Sequence, residues 1–157
     1  MTDRFKQIIE FTLKNEGGYV FDPLDSGGET KYGISKRSYP NVDIKHLTQL
    51  QAVDIYKRDF WDKHPFDKIE DFEVCAKLFD MAVNMGFVQA AKLLQRCLGV
   101  ADDGIIGTKT LQAINNANAE ELLSAYKTKL REFYALLVTK NPKNERFLNG
   151  WLRRVSL

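Results

Sequence analysis

Asn15-Glu16-Gly17-Gly18-Tyr19, followed by Asp25-Ser26-Gly27-Gly28-Glu29-Thr30-Lys31-Tyr32-Gly33-Ile34, decides how this chain is read. The first run places a glutamate at the end of a helix-like segment and stops that segment with two glycines. The second is a loop dense in glycine, carboxylate and hydroxyl groups, which wraps back toward the glutamate. Few domains need such a loop for folding alone.

Upstream, Phe5, Ile8, Ile9, Thr12 and Leu13 recur at helical spacing, which predicts a helix over 3–16 with one apolar face. Between 17 and 46 the helical period is absent, and Tyr19-Val20-Phe21 and Tyr32-Gly33-Ile34 read as short extended pieces. Downstream the period returns. Thr48-Gln49-Leu50-Gln51 has the form of a capping box opening a helix that runs to Trp61. Helices are expected over 72–85, with Gly86 as a left-handed cap, and over 88–98, closed by Gly99. A turn, Ala101 to Gly107, feeds a helix over 108–116 with Thr108 as its cap. Asn118 and Glu121 cap a long helix from 119 to about 139, which Asn141-Pro142 breaks. A last helix carries Phe147, Leu148, Trp151, Leu152 and Val155. The expected fold is all-α, with an irregular N-terminal loop region and room for a very small hairpin.

The 157 residues suffice for a real core, and 44% hydrophobic with 28% charged residues is a globular balance. A net charge of +2 suits approach to an anionic polymer and is too weak to argue for nucleic acid. Cys75 and Cys97 sit in apolar helical segments and read as buried free thiols. With only His46 and His64 beside them, they form no metal set. Met1-Thr2-Asp3-Arg4-Phe5-Lys6 leads directly into an amphipathic helix, with no signal-peptide core. No apolar run approaches the roughly 18 residues of a membrane span. The expectation is a monomer made in the cytoplasm that needs another agent for release.

Three groups in the opening stretch suit cleavage of a glycosidic bond. That reaction needs a proton donor for the leaving oxygen and a base or nucleophile for the anomeric carbon. Glu16 fits the donor, because the dipole at a helix C-terminus disfavours negative charge there. Asp25 and Thr30 could hold a water opposite the acid. Asp25 could equally cap the Ser26-Gly27-Gly28 turn, and Thr30 could bond a loop backbone. Glu29 is a rival carboxylate, though in an extended piece it faces away from Thr30. Tyr19 and Tyr32 offer rings to a sugar. Asp80 and Asn84 share a helix face at i and i+4, and are either buried and hydrogen-bonded or turned to a site. Trp61 and Trp151 could stack on sugars, with core packing the stronger competitor.

The order Glu16, Asp25, Thr30, Gly33-Ile34 resembles that of the phage-type lysozymes, with one residue fewer between aspartate and threonine. A closer resemblance is to the glycoside hydrolase family 108 N-acetylmuramidases, the predicted-lysozyme or secretion-activator group. Glu16-Gly17-Gly18-Tyr19, Asp25 through Ile34, Tyr56 with Phe60-Trp61-Asp62, and Phe79 through Gly86 resemble its segments. Leu94-Gln95-Arg96 and Asp103 through Thr110 resemble a C-terminal predicted peptidoglycan-binding region, and Gly150-Trp151-Leu152-Arg153-Arg154 a closing Gly-Trp-x-x-Arg. Lys31-Tyr32 depart from the small or polar residues common at those places.

The resemblance implies a lysozyme-like catalytic lobe at 1–70 and a helical lobe at 71–157, packed as one unit. It implies hydrolysis of the β-1,4 bond between N-acetylmuramic acid and N-acetylglucosamine, with Glu16 as acid and no metal or organic cofactor. Asp25 and Thr30 would align a water, giving inversion, whereas direct attack by Asp25 would give retention. A carboxyl separation of about 6.5–9.5 Å marks the first and about 5 Å the second. The partner would be peptidoglycan glycan strands, reached at the wall after holin-like or other release. The competing reading is a module that binds peptidoglycan or regulates secretion without turnover.

Overall fold

In a computed structural model, α1 (Asp3–Glu16) buries Phe5, Ile8, Ile9 and Leu13, so its predicted stripe is its core face. The structure describes residues 3–16, 18–23 and 28–157, without the side chains of 15 and 16. Asp25 therefore lies outside the described residues. The chain divides into two compact units, 1–64 and 65–157.

In the first unit, α1 is followed by an antiparallel sheet of three short strands: β1 (Val20–Phe21), β2 (Glu29–Lys31) and β3 (Ile34–Ser35). β2 is central, with Thr30 opposite both Val20 and Ser35. The extended pieces expected around 19–21 and 32–34 correspond in part. Val20, Phe21 and Ile34 are in strands, whereas Tyr32 and Gly33 form the two-residue turn between β2 and β3. The turn requires positive φ at both places, and they have 53° and 79°. α2 (Gln49–Tyr56) opens with the full capping box: Thr48 Oγ1 accepts from the Gln51 amide and the Gln51 side chain accepts from the Thr48 amide. The helical path runs on to Trp61, but 57–61 widens into one turn of π-helix, closed by Asp62 N donating to Lys57 O at 2.9 Å.

The second unit is built from α3 (Phe72–Met85), α4 (Phe87–Leu98), α5 (Thr108–Asn116), α6 (Ala119–Lys140) and α7 (Glu145–Ser156). α4 packs on α3 and α6, and α7 packs along α6. Phe66, in a short 3-10 turn, meets Phe79 and Phe87 edge-on at 5.4 and 5.8 Å. Gly99 ends α4 in the left-handed conformation, and the Asn118 side chain caps α6 by accepting from the Glu121 amide. Two expected caps differ. Gly86 has φ 92° and ψ 146°, an extended mirror conformation that lets one residue end α3 and begin α4 with no loop between them. Gly107, not Thr108, is the N-cap of α5, and Thr108 is already helical. Cys75 is a buried free thiol, and Cys97 is free but only half-buried, at the edge of α4. Among the described residues the fold is mainly helical, with seven α-helices and one small sheet, and no helix is long and apolar enough to cross a membrane.

Candidate active site

α1 ends at Glu16, so the backbone carries the candidate acid at the C-terminal end of the helix, as expected. One turn earlier in sequence, Thr12 is fully buried, and among the described residues its hydroxyl has no hydrogen-bond partner. Trp61 packs on Phe5 of α1, with ring centres 5.3 Å apart, and is 3% exposed. Its ring is core, which decides between the two readings open for it.

The sheet gathers three other candidates. Thr30 lies mid-β2, half-buried. Tyr32 heads the β2–β3 turn, half-buried, with the Lys31 ammonium 5.6 Å from its ring centre. Tyr19, just before β1, donates its hydroxyl to Glu29 Oε2 at 2.6 Å across the β1–β2 pair. That bond to a carboxylate holds the Tyr19 hydroxyl above the usual range for a phenol. It also commits Glu29, the rival carboxylate, to Tyr19. Val20 and Phe21 are exposed, so β1 presents an apolar edge.

Two tyrosines that sequence reasoning did not single out for a polar role tie this region together. Tyr56, 1% exposed at the end of α2, donates to the carbonyl oxygen of Tyr32. Tyr39 donates to Asp59 Oδ2 at 2.8 Å, and Asp59 also takes two bonds from the Arg58 guanidinium at 2.8 and 2.9 Å. The Arg58 bonds, with help from Tyr39, lower Asp59 to about 2. Burial, and then the bond to Asp59, push Tyr39 up to about 12. Asp59 is thus an ionised anchor and unsuited to donate a proton near neutrality. The π turn brings it there by shifting the helix register after Tyr56. No local sequence signal marks such an insertion.

Asp80 and Asn84 belong to the second unit, and both bond to partners within it. Asp80 is 1% exposed, and both its oxygens accept from Arg154 of α7, at 2.9 and 3.1 Å. Of its two open readings, the structure takes the buried, hydrogen-bonded one. Asn84 is half-buried and donates to the Tyr134 hydroxyl. Trp151 stacks on Tyr134 and on Phe147, at 4.9 and 5.6 Å, so other rings already neighbour it. Among the described residues no cluster of three His, Cys, Asp or Glu could hold a metal.

Residues 9–86 match the family model Glycosyl hydrolase 108, and residues 89–156 match one described as Predicted Peptidoglycan domain. The solved structure of Brucella abortus SagA is similar at 31% sequence identity, over 97% of this chain and 89% of that one, with a TM-score of 0.82. None of the curated proteins compared matches the chain. The first match spans the end of α1, the sheet and α3, and so includes Glu16, Tyr19, Asp25, Thr30, Tyr32, Asp80 and Asn84.

Proposed function

The chain belongs to the glycosyl hydrolase 108 family, and from that premise we propose that it is a lysozyme-type N-acetylmuramidase. It hydrolyses the β-1,4 bond between N-acetylmuramic acid and N-acetylglucosamine of peptidoglycan. Glu16 protonates the leaving oxygen. Asp25 and Thr30 align the attacking water, with inversion at the anomeric carbon. Tyr19 and Tyr32 meet the sugars. The carrying observation is the juxtaposition in one family match of a helix ending at Glu16 and a small sheet with Thr30 on its central strand. The second match supports peptidoglycan as the polymer engaged, and an organisation in which 1–70 cleaves and 71–157 binds wall. The site of action is the cell wall, reached by holin-like or other non-classical release.

The test is clearing of purified peptidoglycan by wild type and by Glu16→Gln, with mass analysis of the fragments. Clearing by wild type alone, with new reducing ends on muramic acid, is the expected result. Equal clearing by both removes Glu16 from the chemistry. Sedimentation with the wall and no clearing by either would replace the enzyme with a binding module, the reading that the peptidoglycan-domain match also favours.

A further inference from the structure

Tyr32 is the one described non-glycine residue with positive φ. It holds the first position of a two-residue turn, where asparagine or glycine fits without strain and a tyrosine Cβ crowds the carbonyl. Strain of this kind persists only where the surroundings over-determine it. Here the surroundings include Tyr56, whose hydroxyl donates to the Tyr32 carbonyl from 24 residues away. The Tyr56 ring is fully packed at the end of α2, so a helix and not the turn sets the position of that hydroxyl. Lys31 adds a second tie, donating to the Lys45 carbonyl at 3.1 Å while its ammonium sits over the Tyr32 ring. The strained turn directly follows the strand that carries Thr30.

We propose that Tyr56 is a positioning residue for glycan recognition. It holds the Lys31–Ile34 turn in its left-handed form, so that the half-exposed Tyr32 ring serves as a stacking platform for a pyranose of the strand, beside Thr30. The apolar face of a pyranose packs on an aromatic ring as other apolar surface does, and the neighbouring Lys31 ammonium suits a sugar that carries an acidic substituent. The inference rests on the peptidoglycan reading above.

The test is a binding cycle in the full chain carrying Glu16→Gln, with a purified oligomer of alternating N-acetylglucosamine and N-acetylmuramic acid as probe. Tyr56→Phe keeps the core ring and removes only the hydroxyl. It is expected to weaken binding about tenfold, the worth of one buried hydrogen bond. Tyr32→Gly weakens binding by removing the platform. Glycine takes the left-handed conformation unaided, so adding Tyr56→Phe to it weakens binding by less than about twofold more. Unchanged affinity for Tyr56→Phe, or an equal further loss in both backgrounds, overturns the proposal. The second of these would mean that the Tyr56 hydroxyl acts on binding by a route other than the strain at Tyr32. Amide exchange over 29–35 gives a ligand-free readout. Protection is expected to fall in Tyr56→Phe and to recover when Tyr32→Gly is added, whereas unaltered protection shows that the hydroxyl does not hold the turn. If the parent binds no oligomer, both the muramidase reading and the platform fall. If it binds and Tyr56→Phe matches it, only the present inference falls.

Discussion

Among the described residues the two compact units differ in how their polar groups are satisfied. In the second, the fully buried Gln95 donates to Asp103, the Ile105 carbonyl and Thr110, and accepts from the Gly104 amide. Asp80 is matched by Arg154, and Lys77 donates to the carbonyls of residues 154 and 155 at the end of α7. In the first unit the Thr12 hydroxyl is buried without a partner among the described residues, Tyr32 is strained, and 57–61 is a π turn. Buried and paired groups make a framework. Strain and unpaired groups collect where a fold serves something other than its own stability. Glu16 and Thr30, the groups proposed for the chemistry, belong to the first unit.

The largest expected effect is on activity. Glu16→Gln should lower wall clearing by roughly 10²–10⁴-fold, the usual worth of a general acid, and leave the thermal midpoint in place. A midpoint that fell with the activity would make Glu16 part of the framework and break the contrast. In the second unit, Asp80→Ala should cost about 3–5 kcal/mol by urea denaturation, because the Arg154 guanidinium, 11% exposed, loses its counter-charge. A loss below about 1 kcal/mol, the worth of a surface pair, would show that the pair is not a buried one. Gly104→Ala should cost about 1–3 kcal/mol, since φ there is +77° and the new Cβ would stand 2.7 Å from Val88 Cγ1.

The Lys77 amine tests the same framework through pH. Burial lowers it to about 8, partly opposed by Asp80. Between about 8 and the ordinary lysine value the unfolded chain holds a proton that the folded chain has released, so stability should rise with pH across that window. Below about 8 both states are protonated and the penalty for burying the charge is complete. Lys77→Met should remove that rise from denaturation curves taken between pH 7 and 11. A slope unchanged in the variant would assign it to another group. The smallest effect belongs to the first unit: Thr12→Val replaces a buried hydroxyl that has no partner among the described residues with a methyl, and should raise stability by about 1 kcal/mol. A loss instead would mean that the hydroxyl has a partner in solution.

Features decided within one turn of chain were legible in the sequence. The Thr48–Gln51 capping box, the Asn118 cap, Gly99 and the Asn141-Pro142 break all appear where local chemistry put them. Gly86 shows the edge of that legibility. A glycine after a helix says that a left-handed residue is cheap, but whether it is αL or an extended mirror form depends on where the next helix packs. Asp80 shows the limit. Its i,i+4 spacing to Asn84 put both on one helix face, and nothing local could say that Arg154, 74 residues on, would take both its oxygens. Tyr56 stood out in the sequence only as part of a family-like segment with Phe60-Trp61-Asp62, and its bond to Tyr32 becomes visible only when the helix and the turn are placed together.

The sequence by itself determined the mainly helical fold and most helix ends, because helix periodicity and capping are short-range physics. Only the tertiary structure decided which polar residues are bound within the protein and which face outward. That outcome depends on pairings between groups distant in the chain, and on the cost of leaving a buried donor, acceptor or charge without one.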